Sequence, residues 1–390
     1  MIHDTRSMIR VLFTGGGTGG HIYPIVAIAE ELKKISQEKG TEIDLRYFGA
    51  PEQYFNLLEL TGIKVSTIVS SKLRRYFDIR NFFDGFKFIF SLIQAFWKVL
   101  WLMPDVLFSK GGPGALAVLL ACRFYRVPII VHESDSIPGL TNLISAKWAK
   151  RIGLSFVSAI EYFRKNKKFD EAKLALVGHP ARKIFFEPGD EPELAKKILG
   201  FNPNTSLILF IGGSQGATAI NDFVLDSIGE LLKDYQVFHQ TGVRNFEQVK
   251  KEWQFISRDI LEEERLRYRI VPYLEEKDLK EAILAADLVV SRAGAGSIFE
   301  LAAMGEPSIL IPLPEAAGDH QTKNAYEYSK TGAAIVIEQL NLRTHLFIVQ
   351  VKKLFDNPDL LKQMPQAAKN FSKPEAAKIL AEEILKLTGV

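Results

Sequence analysis

Residues 285–325 read AADLVVSRAGAGSIFELAAMGEPSILIPLPEAAGDHQTKNA. Leu288–Val290 is a short apolar strand. Ser291, Arg292 and the glycine-broken turn Ala293-Gly294-Ala295-Gly296 follow it. Ser297 is expected to open a helix that stops at Gly305, ahead of Pro307. Ile309–Ile311 is the next strand, and Asp319, His320, Gln321 and Asn324 lie on the loop and helix start after it. A strand, a glycine turn and a helix N-terminus make an anion site, because unpaired backbone N–H groups and the positive dipole end face the ligand. Glu300 stands one turn into the helix and has two readings. Ser297-x-x-Glu300 fits a capping box, whereas a carboxylate beside a phosphate pocket commonly grips two ribose hydroxyls. The Asp319-His320-Gln321 cluster one strand later favours the second.

The same device occurs twice upstream. Phe13-Thr-Gly-Gly-Gly-Thr-Gly-Gly20 follows the strand Arg10–Phe13, and Phe210-Ile-Gly-Gly-Ser-Gln-Gly-Ala217 follows Leu207–Ile211. Two copies point to two Rossmann-like halves rather than one sheet. Gly15-x-Gly17-x-x-Gly20 matches a dinucleotide fingerprint, but a nicotinamide site also wants an acid at the end of the second strand. That strand, Ile43–Phe48, ends in Gly49, and Asp44 lies inside it. The first loop therefore reads as backbone that approaches a phosphate, with His21 at the helix mouth and Pro24 in the first helical turn. Two further loops belong to the same edge: Ser109-Lys110-Gly111-Gly112 after Val106–Phe108, and His132-Glu133-Ser134-Asp135 after Ile129–Val131. Ser136–Asn142 opens the next helix. Ligands of open parallel sheets bind at that carboxyl edge.

Composition sets the bounds. At 390 residues the chain is natural for two domains, and 47% hydrophobic with 24% charged residues is ordinary for a globular protein. The net charge of +3 demands no nucleic acid. One cysteine, Cys122, excludes an internal disulfide and a cysteine metal cluster. The first residues lack the apolar core of a signal peptide, so a cytoplasmic location is expected. Phe82–Met103 is the greasiest segment. As a helix it carries one narrow polar stripe, Asp84, Lys87, Ser91, Gln94 and Lys98. A core helix is the default reading. Its apolar arc nevertheless exceeds one packing face, and Lys72, Arg74, Arg75 and Arg80 precede it, which suits docking on an anionic membrane surface. Lys250–Arg269 reads as solvated helix, and Ser372–Leu387 as an amphipathic helix after Pro365.

These motifs, in this order over roughly residues 9–387, resemble the GT-B glycosyltransferases, in particular the branch that moves N-acetylglucosamine from UDP-GlcNAc to lipid I in peptidoglycan synthesis. The resemblance implies an α/β GT-B fold, two Rossmann-like domains facing a central cleft. Residues 1–185 would form the acceptor and membrane side, with a C-terminal helix, 372–390, packing back on it; 186–371 would hold the donor. It implies donor contacts from Thr18, Gly19, Gly20, Asp135, Arg182, Gly213, Ser214, Gln215, Gly216, Leu274, Ala295, Gly296, Ser297, Ile298, Phe299, Glu300 and Gln321. Acceptor contacts would come from Gly111, Gly112 and Asn142, and the catalytic base from His21 or Glu133. Four positions depart from the family pattern: Asp135 and His179 replace asparagines, and Pro113-Gly114 replace an aromatic or aliphatic pair. The implied reaction is inverting and needs no cofactor and no metal. Its partners would be UDP-GlcNAc, a lipid-linked muramyl-peptide acceptor and an anionic membrane surface, with no nucleic acid, at the cytoplasmic face of the cell membrane. A UDP-GlcNAc epimerase would share the fold and need no lipid acceptor; a transferase acting on another lipid is the second alternative.

Overall fold

A computed structural model describes residues 8–69, 80–165, 170–213, 216–314 and 316–389. Lys72, Arg74, Arg75, Ser214 and Gln215, singled out above, lie outside the described residues. The chain forms two compact units, Met1–Arg182 with Lys373–Val390, and Lys183–Ser372. The break falls at Arg182 because the next turn, Lys183–Phe186, already belongs to the second unit and buries Phe185.

The first unit is built on seven parallel strands: β1 Met8–Thr14, β2 Glu42–Gly49, β3 Lys64–Thr67, β4 Val106–Ser109, β5 Ile129–Glu133, β6 Arg151–Leu154 and β7 Leu174–Leu176. Their order in the sheet is β3-β2-β1-β4-β5-β6-β7. The second unit has six: β8 Leu207–Ile211, β9 Gln236–Gln240, β10 Tyr268–Val271, β11 Leu288–Ser291, β12 Ser308–Leu310 and β13 Ala334–Val336, in the order β10-β9-β8-β11-β12-β13. In each sheet the chain adds its first three strands in one direction and then returns to the other side of its first strand. The reversal points, β1 against β4 and β8 against β11, are where an open parallel sheet leaves a crevice for ligand. Thr14 pairs with Ser109, and Ile211 with Ser291, so the two loops at each reversal point start level.

Helices cover both faces of the sheets, and β4, β5, β8, β9, β11 and β12 are buried along their whole length. Within β1 the pleat divides the core: Val11 and Phe13 face one layer, Leu12 the other. The C-terminal helix Ala376–Thr388 belongs to the first layer. It lies along the helix Gly19–Lys39 and inserts Leu380, Ala381, Ile384 and Leu385 beside Ile9 and Val11. Each fully buried Leu or Ile there stabilises by about 1.5–3 kcal/mol.

Several local expectations need correction. The helix after β11 runs Ala295–Met304 from an N-cap at Gly294, so Ser297 lies inside its first turn and forms no capping box with Glu300. The turn itself supplies an extended Gly294 whose carbonyl accepts from Ile298 N–H, and the helix starts there. Its end at Gly305, in the left-handed region, is as read. Likewise, the first helix starts at Gly19, which leaves Pro24 in its interior and forgoes the bond to the Gly20 carbonyl. Pro365 is also internal, to Pro358–Phe371. The helix after β5 begins at Leu140 from an N-cap at Gly139, not at Ser136, because residues 134–139 are tied to Glu133. Lys250–Arg269 is not one helix: Phe246–Ile256 ends, Glu262–Arg265 forms a short turn, and Trp253 packs edge-on against Tyr268.

The helix Arg80–Leu102 overturns the core-helix default. Ser91, Ala95 and Val99 are buried, Gln94 accepts from Val69 N–H (3.1 Å), and Lys98 Nζ donates to the Thr67 carbonyl (3.1 Å). The polar stripe therefore serves the backbone at the end of β3, and the opposite face is largely exposed. Phe86, Ile89, Phe90, Ile93, Trp97, Leu100 and Trp101 are between 43% and 74% exposed. They recur at the spacing of a single helical stripe.

Candidate active site

The N-terminal half-site gathers at the carboxyl edge of β1, β4, β5 and β7. His21 lies in the first turn of its helix with its ring against the glycine loop. A Cβ on Gly16 would stand 2.8 Å from His21 Nδ1, and one on Gly112 would stand 3.5 Å from its Cε1. Only glycine admits the ring at Gly16. Nδ1 lies 2.9 Å from Thr18 Oγ1. Burial first, then the charge of Lys110, pushes the His21 pKa down to about 4, with Asp135 pulling the other way. Gly111 and Gly112, at φ +76° and +89°, turn the loop after β4 between Asn142 and Gly16. A side chain at Gly111 would collide with Asn142 Oδ1, which would lie 2.3 Å from its Cβ.

Glu133 is buried and holds its own loop together. Oε1 accepts from Asp135 N–H (3.0 Å); Oε2 accepts from Gly139 N–H (2.9 Å) and Asn142 Nδ2 (2.8 Å). Burial and the neighbouring Asp135 raise its pKa, against the pull of those three donors. Arg182, the last residue of this unit, stacks its guanidinium 4.4 Å over the Tyr23 ring, which meets Tyr54 edge-on. Gly19 is wedged against both tyrosines, while Gly20 and Thr18 are exposed. Sequence reasoning missed Lys110, Tyr23 and Tyr54. A lysine between a serine and a glycine carries no signal that it will be buried; an aromatic residue just after a glycine loop, as Tyr23 is, does.

The C-terminal half-site is built at β8 and β11. Gly213 and Gly216, both in the left-handed region, frame the turn after β8, and the helix Thr218–Asp234 starts at Ala217 without a side-chain cap. Across the reversal point, the first-turn N–H groups of Ala295, Gly296 and Ser297 have no intrahelical acceptor, and Gly294 has no side chain to serve them. Gly296, Ser297 and Glu300 share the partly open face of the helix. The side chains of Ala295, Ile298 and Phe299 are buried in the core, so a ligand meets only their backbone. Beneath the turn, Arg292 Nη1 donates to the Ile311 carbonyl (3.2 Å) and Asn324 Nδ2 to that of Ala293 (3.3 Å). Gln321 Oε1 accepts from Leu313 N–H (3.1 Å), which leaves its amide nitrogen for other use. Leu274 is buried in the loop after β10. Among the described residues no group of three or more His, Cys, Asp or Glu is placed to hold a metal ion.

Known proteins give this geometry a context. Residues 11–154 match the Glycosyltransferase family 28 N-terminal domain, and residues 207–380 the Glycosyltransferase family 28 C-terminal domain. The UDP-N-acetylglucosamine--N-acetylmuramyl-(pentapeptide) pyrophosphoryl-undecaprenol N-acetylglucosamine transferase of Clostridium tetani is 34% identical over 351 residues, 89% of this chain and 90% of that protein. Its counterpart from Treponema denticola is 34% identical over 393 residues, 95% and 96% of the two chains. Among solved structures, Acinetobacter baumannii MurG superposes with a TM-score of 0.70 at 24% identity, covering 97% of this chain and 99% of that one. The UDP-GlcNAc 2-epimerase of Neisseria meningitidis, bound to UDP-GlcNAc, shares the fold at a TM-score of 0.67 and 13% identity, covering 97% and 100%.

Proposed function

The chain belongs to glycosyltransferase family 28, among the N-acetylglucosamine transferases that act on the undecaprenol-linked muramyl-pentapeptide, and from that premise we propose how its two half-sites divide the reaction. The enzyme transfers N-acetylglucosamine from UDP-GlcNAc to the lipid-linked muramyl acceptor. The observation that carries the division of labour is the pair of uncapped helix N-termini at the β8/β11 reversal point, with Glu300 on the open face of one of them. Diphosphate is served by those N–H groups, and the ribose hydroxyls by Glu300. Gln321 and the backbone of the turn orient the sugar, and Leu274 offers backbone to the base.

The N-terminal half-site supplies the proton acceptor. The 4-hydroxyl of the muramyl sugar gives its proton to His21 while its oxygen bonds to the anomeric carbon, and UDP leaves from the far side with the bonding electron pair. The new bond is β. This role requires the tautomer with the proton on Nδ1, bonded to Thr18 Oγ1 at 2.9 Å, which leaves the Nε2 lone pair for the acceptor's proton. The backbone N–H groups that receive UDP are fixed before the reaction and are worth most where charge develops. Glu133 is the weaker claimant to the role of base, because three donors already occupy its two oxygens; it positions the 133–142 loop with Asn142.

One consequence is a displaced pH profile. A base must be unprotonated to act, and His21 holds its proton only below about pH 4. The acid limb of kcat/KM for the acceptor is therefore expected well below the ordinary histidine value of about 6.5. Initial rates between pH 4 and 8 check it. A limb at 6.5 would mean that the titrating base is not this imidazole.

The acceptor is lipid-linked, so the enzyme must reach a membrane, and we propose that the exposed apolar face of Arg80–Leu102 is the docking surface. The segment is long and apolar enough to cross a bilayer by length and composition. Ser91, Gln94 and Lys98 nevertheless anchor one side of it to the protein, which favours lying on the surface over spanning it. Trp97→Ser with Ile93→Ser is expected to cut co-sedimentation with anionic vesicles by about 10-fold or more, at ~0.8 kcal/mol for each buried CH₂ lost. Retention of full vesicle binding by a folded double variant would place the membrane contact elsewhere.

A further inference from the structure

Lys110 follows β4 at the reversal point of the first sheet, and the mechanism above leaves it unused. Its backbone N–H donates to the Thr14 carbonyl (2.9 Å), and the residue is 2% exposed. A Cβ on Gly15 would stand 3.4 Å from the Cβ of Lys110 and 3.4 Å from that of His21, so the two residues flank one glycine. Lys110 Nζ lies 2.6 Å from His132 Nδ1 and 2.6 Å from Ser134 Oγ. His132 Nε2 lies 2.9 Å from the Gly178 carbonyl, which only accepts. The ring therefore carries its proton on Nε2, and its Nδ1 accepts from the ammonium. One buried cation ties together the loops after β4, β5 and β7, beside the loop after β1. Packing does not explain a charge in such a place, because burying an ammonium is costly unless it is paired. The titratable groups around it are His21 after β1, His132 and Glu133 at the end of β5, Asp135 just past it, and His179 after β7.

We propose that Lys110 is a positioning residue for the transfer, acting through His21: it locks the His132–Asp135 segment and supplies the positive charge that keeps the His21 ring a neutral base. The inference rests on the assignment of His21 as the base of the sugar transfer. Burial lowers the proton affinity of that ring most; of the two charges that reach it, Lys110 lowers it further and Asp135 raises it. Burial brings Lys110 itself down to about 7, against the pull of Glu133 and Asp135. The cation is thus present throughout the acid range in which His21 would otherwise protonate.

The test is a histidine titration of the full chain with ¹³Cε1-labelled histidine, the His21 resonance being identified by its loss in His21→Ala. In Lys110→Met the His21 midpoint is expected to rise by about one unit, the size of a removed like charge nearby. The acid limb of kcat/KM should move up with it. Calorimetric affinity for UDP, bound by the other unit, should not change. Lys110→Arg, which keeps the charge, should keep the low midpoint. A folded Lys110→Met whose His21 midpoint stays within about 0.3 unit of wild type would overturn the proposal, since measured side-chain shifts commonly reach about a unit. If Lys110→Met does not fold, wild type decides through ¹³Cε-labelled lysine. A step in the His21 resonance at the Lys110 midpoint supports the proposal; a Lys110 titration that leaves the His21 resonance unmoved overturns it. The titration needs no acceptor, so a wild type that transfers no sugar would sink the functional reading and leave this inference to be judged by itself.

Discussion

His21→Ala is expected to lower kcat by at least ~100-fold, the usual worth of a general base, and to leave UDP affinity unchanged. The separation follows from the architecture. His21 stands at the mouth of the Gly19–Lys39 helix in the first unit, whereas the donor elements belong to the second. The fold should tolerate the change, because the ring lies against Gly16 and Gly112 and is absent from the apolar clusters. Single-turnover rates with saturating acceptor, beside calorimetry with UDP, make the measurement. Turnover within a few-fold of wild type would remove His21 from the chemistry. Asp135 would then be the carboxylate to test, before Glu133 with its occupied oxygens.

The second large effect is expected at Glu300. Glu300→Ala should weaken UDP binding by about 10- to 100-fold, since a hydrogen bond to a charged group contributes about 1.5–3 kcal/mol. Because the helix starts at Gly294, no capping box is lost with the carboxylate. The discriminating ligand is UDP with 2′- and 3′-deoxy ribose. It should bind wild type and variant alike, as neither complex then contains the carboxylate–hydroxyl contact. A variant that binds UDP as tightly as wild type would leave the ribose without its proposed partner.

How much of this was written in the chain follows from what sequence pattern can encode. The two glycine loops at Phe13–Gly20 and Phe210–Ala217 gave two Rossmann-like units, because a parallel strand feeding a glycine turn and a helix is a local device. Its residues are contiguous, and the strand orders agree with it. The missing acid at the end of β2 was equally legible, and Asp44 pairs instead with Arg46 and Lys64. What pattern does not encode is which side of an element is covered. Periodicity found the Ser91–Gln94–Lys98 stripe, but not that the backbone at Thr67 and Val69 would claim it and turn the aromatic face outward. Lys110 failed for a related reason. Its partners His132, Ser134 and Gly178 come from loops far apart in sequence, and burial of a lysine is decided only when they converge. The capping box failed because two N-caps competed within three residues, and the extended glycine won.

The central claim is that this chain joins N-acetylglucosamine from UDP-GlcNAc to a lipid-linked muramyl sugar. Product analysis of purified enzyme with labelled UDP-GlcNAc, with and without lipid-linked muramyl-pentapeptide, tests it directly. The account predicts label in a β-linked disaccharide lipid and stoichiometric UDP, both only when acceptor is present. Conversion of UDP-GlcNAc to an epimer or to free sugar without acceptor, and no labelled lipid with it, would contradict the account.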